Sequence, residues 1–270
     1  MHPISTPSQQ RNAIEAAVFA LQLAQPIEPP ALQRINAAFD ALGDELPGQQ
    51  LGHQGISFQF GAMQQPLPVP ALHELIRFVA RPNGAHLWRV QVQGATITVT
   101  CHDYTDFAAV WERAKRYLAL VLTQLDAGFL CLELVHQVLD QFNYDLQPED
   151  EPRYSLDELF RSDTPYLTAK AWRSGLLWHV YQGWFERPGD PFKYLNQVNI
   201  SNLRMDDRTR YTTVIDHRIV ASLDGGTAFG LDNPNLLDGV FRKLHDSNMT
   251  MLRELLTDQK QAEIGMRVAP

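Results

Sequence analysis

The chain predicts an α+β protein: duplicated β-α-βββ-α units forming an extended curved antiparallel sheet with helices on one side. Three observations lead there. A β-rich stretch, Ala95–Asp103, runs into the amphipathic segment Asp106–Leu125, and a second, Arg210–Ser222, runs through a Gly/Asn/Pro loop into Leu236–Leu256. Strand text is grouped and helical text segregated, which favours an antiparallel sheet over alternating βαβ units. The pattern occurs twice, so residues 1–127 read as an N-terminal unit, with 1–12 a loose tail, and 128–270 as a second unit that repeats it.

Asn12–Ala24 is ambiguous from the residues alone: its alanines favour helix, yet Glu15, Ala17, Phe19, Leu21 and Leu23 fall on one face of a strand. Pro26, Pro29 and Pro30 break the chain, and Pro30 suits the first turn of a helix. Ala31–Leu46 carries Leu32, Ile35, Phe39, Leu42 and Leu46 at helical spacing and stops before Pro47-Gly48. Gly55–Phe60 alternates as a short strand, and Gln65–Pro70 is a proline-rich loop. Leu75–Ala80 and His86–Gln93 read as strands joined at Pro82-Asn83-Gly84, and Gly94 turns the chain into β-branched Ala95–Cys101. Thr105 or Asp106 caps the next helix, whose stripe is Phe107, Val110, Trp111, Ala114, Leu118, Val121, Leu122 and Leu125.

The second half opens with the β-compatible run Gly128–Phe142, then an acidic linker at Gln147–Arg153. Ser155 and Glu158 have capping-box spacing for a short helix, Ser155–Phe160. Gly175–Glu186, Lys193–Arg204 and Arg208–Ser222 read as three strands, with turns at Arg187–Pro191 and Met205–Asp207. Leu223–Pro234 is a glycine-rich loop lacking the lysine of a phosphate loop, and Leu236–Ile264 is the terminal helix.

Bulk composition bounds the function. Apolar residues make up 44% and charged residues 20% of 270, enough for a substantial core. The net charge of −8 speaks against non-specific binding to nucleic acid. Two cysteines, Cys101 and Cys131, are too few for a disulfide framework and read as buried thiols. No apolar run reaches membrane-spanning length, and polar Met1–Arg11 lacks the apolar core of a signal peptide, so a cytoplasmic location and no membrane partner are expected.

Four strings carry a resemblance to a known group: Asn12–Phe19, Tyr104–Trp111, Val214–His217 and Leu256–Lys260. Together they resemble a family of sporadically distributed bacterial proteins of uncharacterised function. The resemblance implies that Ala13–Leu23 is a strand, against its helix propensity. It also implies a patchy, mobile or defence-associated setting, and carries over no catalytic residue. His217 and Arg218 depart from its acidic and aliphatic pattern, and Ser162–Ser174 has no counterpart in it.

Candidate chemistry is sparse. Cys101-His102-Asp103 contains nucleophile, base and carboxylate types, but neighbours on a strand point to opposite faces. Related halves would bring His102 and His217 together, with Asp103 or Asp216 supporting them, for metal- or histidine-assisted hydrolysis. Surface histidines in ion pairs are the plainer account. The densest aromatic region holds Trp178, His179, Tyr181, Trp184, Phe185 and Tyr194. Alternation sets Trp178 and Trp184 on one face and His179, Tyr181 and Phe185 on the other, so core packing competes with a binding surface.

The leading expectation is a non-enzymatic binding or assembly protein engaging a protein or peptide partner through its open sheet face, or a second copy of itself as a homodimer. It needs no cofactor and no metal. The alternatives are the hydrolase using His102 and His217, and a nucleic-acid-binding saddle, against which the acidic balance weighs.

Overall fold

One long strand organises the molecule. In the computed structural model, which describes residues 6–7, 12–54, 71–126, 128–145, 156–175, 177–187, 191–204, 210–231 and 233–266, the elements run in this order. β1 is Thr6–Pro7, β2 Ile14–Leu23, α1 Pro29–Asp40, β3 Gly48–Gln54, β4 Ala71–Ala80, β5 His86–Gln93, β6 Thr96–Cys101 and α2 Phe107–Leu122. Then come β7 Leu130–Asp145, α3 Leu156–Leu159, β8 Trp178–Glu186, β9 Phe192–Arg204, β10 Arg210–Leu223, β11 Phe229–Gly230, α4 Pro234–Leu255 and α5 Asp258–Glu263. The sheet order is β3-β4-β5-β6-β2-β7-β10-β9-β8, with β1 and β11 also pairing β7. The pairs are all antiparallel.

The expected α+β class with a large antiparallel sheet is what the chain forms. The sheet continues without a break across residue 127, because β2 pairs with β7 (Ala17 opposite Val138, Phe19 opposite His136). β2 is a strand despite its alanines. It lies between β6 and β7, with Ala17, Phe19 and Leu21 fully buried on one face, and pairing on both sides overrides a weak propensity.

Alternation assigns the two faces. Phe19, Val99, Leu134, Ile200, Ile215 and Ile219 point to the side where the helices pack. α1 buries Ala31, Leu32, Ile35 and Phe39 there, and buried Arg77 of β4 bonds Asn36 and Asp40 to pin it. α2 buries Val110, Trp111, Ala114, Leu118 and Val121 as its stripe predicts, plus Tyr117, and Asp106 caps it by accepting from the Ala109 N–H. α4 crosses both halves, with Phe241 against Phe19 and Trp111. Among the described residues the opposite face carries a small buried cluster, Ala20, Val135 and Val220 with Leu195, and no described helix belongs to it.

Several expectations need correcting. Thr6–Pro7 pairs with Phe142 and Asn143 and so is not loose tail. α1 stops at Asp40, and Gly43 turns at φ +58°, so Leu46 follows outside the helix. The strand after it is Gly48–Gln54; Gly55–Phe60 and Gln65–Pro70 lie outside the described residues, as do Gln147–Arg153 and Met205–Asp207. The loop after β10 contains β11, which pairs with Leu130 and Cys131. The terminal helix is broken: Leu256 is extended and bridges to Phe160, and the Thr257 hydroxyl accepts from the Lys260 N–H to start α5. No helix among the described residues is long and apolar enough to cross a membrane.

Candidate functional site

The aromatic residues singled out in the sequence do not share one surface. Trp178 is buried against the Phe160 ring, and Trp184 lies between Tyr166 and His217. Tyr194 is also buried on this helix-covered face, opposite Ala221 of β10. Those three are packing residues. His179, Tyr181 and Phe185 face the other way and are exposed, Tyr181 by 59% and Phe185 by 61%.

The local geometry around the exposed pair comes from β8 itself. Tyr181, Gly183 and Phe185 occupy successive positions on one strand face, so a residue without a side chain separates two rings. A Cβ at position 183 would meet the Asn196 carbonyl oxygen at 3.0 Å, so glycine also permits close pairing with β9. The Tyr181 hydroxyl accepts from Gln197 Nε2 at 2.8 Å, and Arg218 Nη1 donates to Gln197 Oε1 at 2.7 Å. The Lys193 ammonium stands 5.1 Å from the Phe185 ring centroid, a cation–π distance. The result is a polar and aromatic surface across β8, β9 and β10 with side chains already ordered by mutual bonds. Sequence reasoning found the aromatics but missed Gln197, Arg218, Lys193 and the notch at Gly183. Their alternation with buried neighbours was the available signal.

The histidine pair is not assembled. Cys101, Ala17, Val138 and His217 lie in register on four adjacent strands. Three strand spacings of ~4.8 Å put roughly 14 Å between the outer two. His102 Nδ1 sits 3.0 Å from the Glu15 carbonyl oxygen, and exposed Asp103 lies 3.9 Å from Arg81. His217 is buried, with Nδ1 2.9 Å from Asn248 and Nε2 3.0 Å from Asn196. Burial pulls its pKa down to about 4, so the ring is neutral. Both contacts are to asparagine Oδ1 atoms, and a neutral imidazole donates from one nitrogen only. Asp216 faces the opposite side and accepts from Gln137 Nε2. His217 therefore anchors α4 to the sheet.

Burial pushes the Cys101 thiol up to about 11 and the Cys131 thiol up to about 12, which keeps both protonated and unreactive. Among the described residues no group of three or more His, Cys, Asp or Glu stands together as metal ligands. Comparison with known proteins returns nothing: no family model, no curated protein and no solved structure matches this chain.

Proposed function

We propose that this is a non-enzymatic binding or assembly protein whose helix-free sheet face holds an extended segment of a protein or peptide partner. The observation that carries the reading is the exposed pair Tyr181 and Phe185, separated by Gly183, on the last strand of the sheet. An added strand gains main-chain hydrogen bonds at a sheet edge and specificity from pockets for alternate side chains. β8 offers both: no described strand pairs with its outer edge, and the notch at Gly183 accepts one side chain between two rings. Its nine residues include no lysine or proline, the usual guards of an exposed edge.

A duplicated origin belongs to the same reading. Moving outward from the central β2–β7 pair, the order β6-β5-β4 on one side parallels β10-β9-β8 on the other, with β3 as an addition. The resemblance to sporadically distributed bacterial proteins extends the proposal to a mobile or defence-associated system.

A displayed peptide library selected on the immobilised protein tests the binding surface. Wild type should enrich a shared motif that is lost with Tyr181→Ser/Phe185→Ser, while Trp178→Phe retains it. Equal enrichment by the double variant, or no enrichment by wild type, refutes the reading.

A further inference from the structure

On the helix-covered side, a cavity of about 490 Å³ lies between the start of β2, the link into α2, the C-terminal half of α4 and the residues after α5. Its size is within the range of small-molecule sites. Asn12 closes one rim, donating from Nδ2 to the Tyr104 carbonyl and accepting from the Ile14 N–H. Part of the wall is apolar, including Val138, Met249 and Leu252. Asp140 of β7 also belongs to the wall. It is 1% exposed, and neither carboxyl oxygen has a hydrogen-bond partner.

A buried carboxylate without a partner is costly, and folded chains place one where something else supplies the missing donor. No described cation bonds Asp140. The other titratable groups in the wall are Tyr104, Asp106, His245, Asp246 and Arg253. Asp106 is engaged as the cap of α2, and His245 lies flat on Phe107 with centroids 3.9 Å apart. Burial holds His245 down to about 4, so it is neutral. The wall thus contains three carboxyl groups and one arginine. Burial raises the Tyr104 hydroxyl, with the Asp140 charge adding to it.

We propose that this cavity binds a small organic cation, an alkylammonium or alkylguanidinium group whose N–H donors meet Asp140. The carboxyl oxygens offer paired acceptors to such a group. The Tyr104 and Phe107 rings in the wall favour a cation near them, and Met249 and Leu252 suit an alkyl chain. A metal ion needs several ligands, and no described group of His, Cys, Asp or Glu supplies them. Independently of the geometry, burial pushes the Asp140 carboxyl up to about 7, and a bound positive charge would draw it down.

Calorimetry with agmatine at about pH 8, where the carboxyl is mostly ionised, tests this. The expected result is one site per chain, with affinity reduced about tenfold or more in Asp140→Asn, a change of charge at nearly constant size. Met249→Trp, which fills the cavity from a half-buried helix position, should also abolish binding and serves if Asp140→Asn fails to fold. The blocked tripeptide acetyl-Gly-Arg-Gly-amide separates a free cation from one presented on a polypeptide. Absence of heat up to about 10 mM agmatine, equal affinity for wild type and variants, or calcium chloride binding at Asp140 in place of agmatine, overturns the proposal.

Discussion

The same strands present two faces, and polar side chains serve different ends on each. On the helix-covered face several are fixed by internal bonds, with His217 held by two asparagines and Arg77 clamping α1, while the Asp140 carboxyl is left without a partner. On the opposite face they form a laterally bonded layer, with Gln137 on Asp216, Arg218 on Gln197 and Gln197 on Tyr181. Buried polar groups must find partners inside the protein, whereas exposed ones can exchange with water. The covered face therefore carries stability, and the free face has latitude for recognition.

Acid should affect the covered face most. Burial lowers His136 to about 3 and His217 and His245 to about 4, against about 6.5 unfolded. Between those values the unfolded chain takes up protons that the folded chain refuses. Their contribution is thus complete above about pH 6.5 and lost as pH falls toward 4, by about 3 kcal/mol for each ring and on the order of 10 kcal/mol together. Urea titrations across that window check it, and a flat profile would mean the rings are not desolvated.

Phe241→Ala should cost about 3–5 kcal/mol, because the ring fills the space between Phe19 and Trp111. Chemical denaturation reads this directly; a loss below about 1 kcal/mol would break the assignment of that face as the stabilising one.

Asp140→Asn should show the opposite pH trend. The folded carboxyl retains its proton up to about 7 while the unfolded one loses it near 3.8. The Asp140 contribution to wild-type stability therefore falls with rising pH in that interval, and the variant, which lacks it, should gain on wild type by a few kcal/mol. A pH-independent difference between the two would show that burial does not make the folded Asp140 carboxyl hold its proton.

The smallest effect belongs to the free face. Tyr181→Ser/Phe185→Ser should change stability by about 0.5 kcal/mol or less while removing peptide selection. A large loss of stability would sharpen the comparison the other way, by making those rings structural.

Much of the fold was legible because alternation and helical spacing survive in the text. β5 matches its predicted bounds, and α2 buries nearly the stripe that its spacing marks. β2 was not legible from its residues, since its strand state comes from β6 and β7, whose partner residues lie 74 to 126 positions away in the chain. The Leu256–Thr257 break was hidden for a similar reason: the bridge to Phe160 exists only after folding. At the candidate surface, strand parity correctly separated Tyr181 and Phe185 from Trp178 and Trp184. Asp140 was readable too, as an acid among Leu134, Val138 and Phe142 on one strand face, but the cavity beside it depends on α4.

α4 has a mechanical consequence. Its first half places Leu237, Val240, Phe241 and Leu244 in the larger apolar cluster, and its second half places Met251, Leu252 and Leu255 in the smaller one. A single rigid rod is thus shared by both, so neither can melt without loosening the other. Heating should give one sharp transition rather than two, even though the sheet spans two halves.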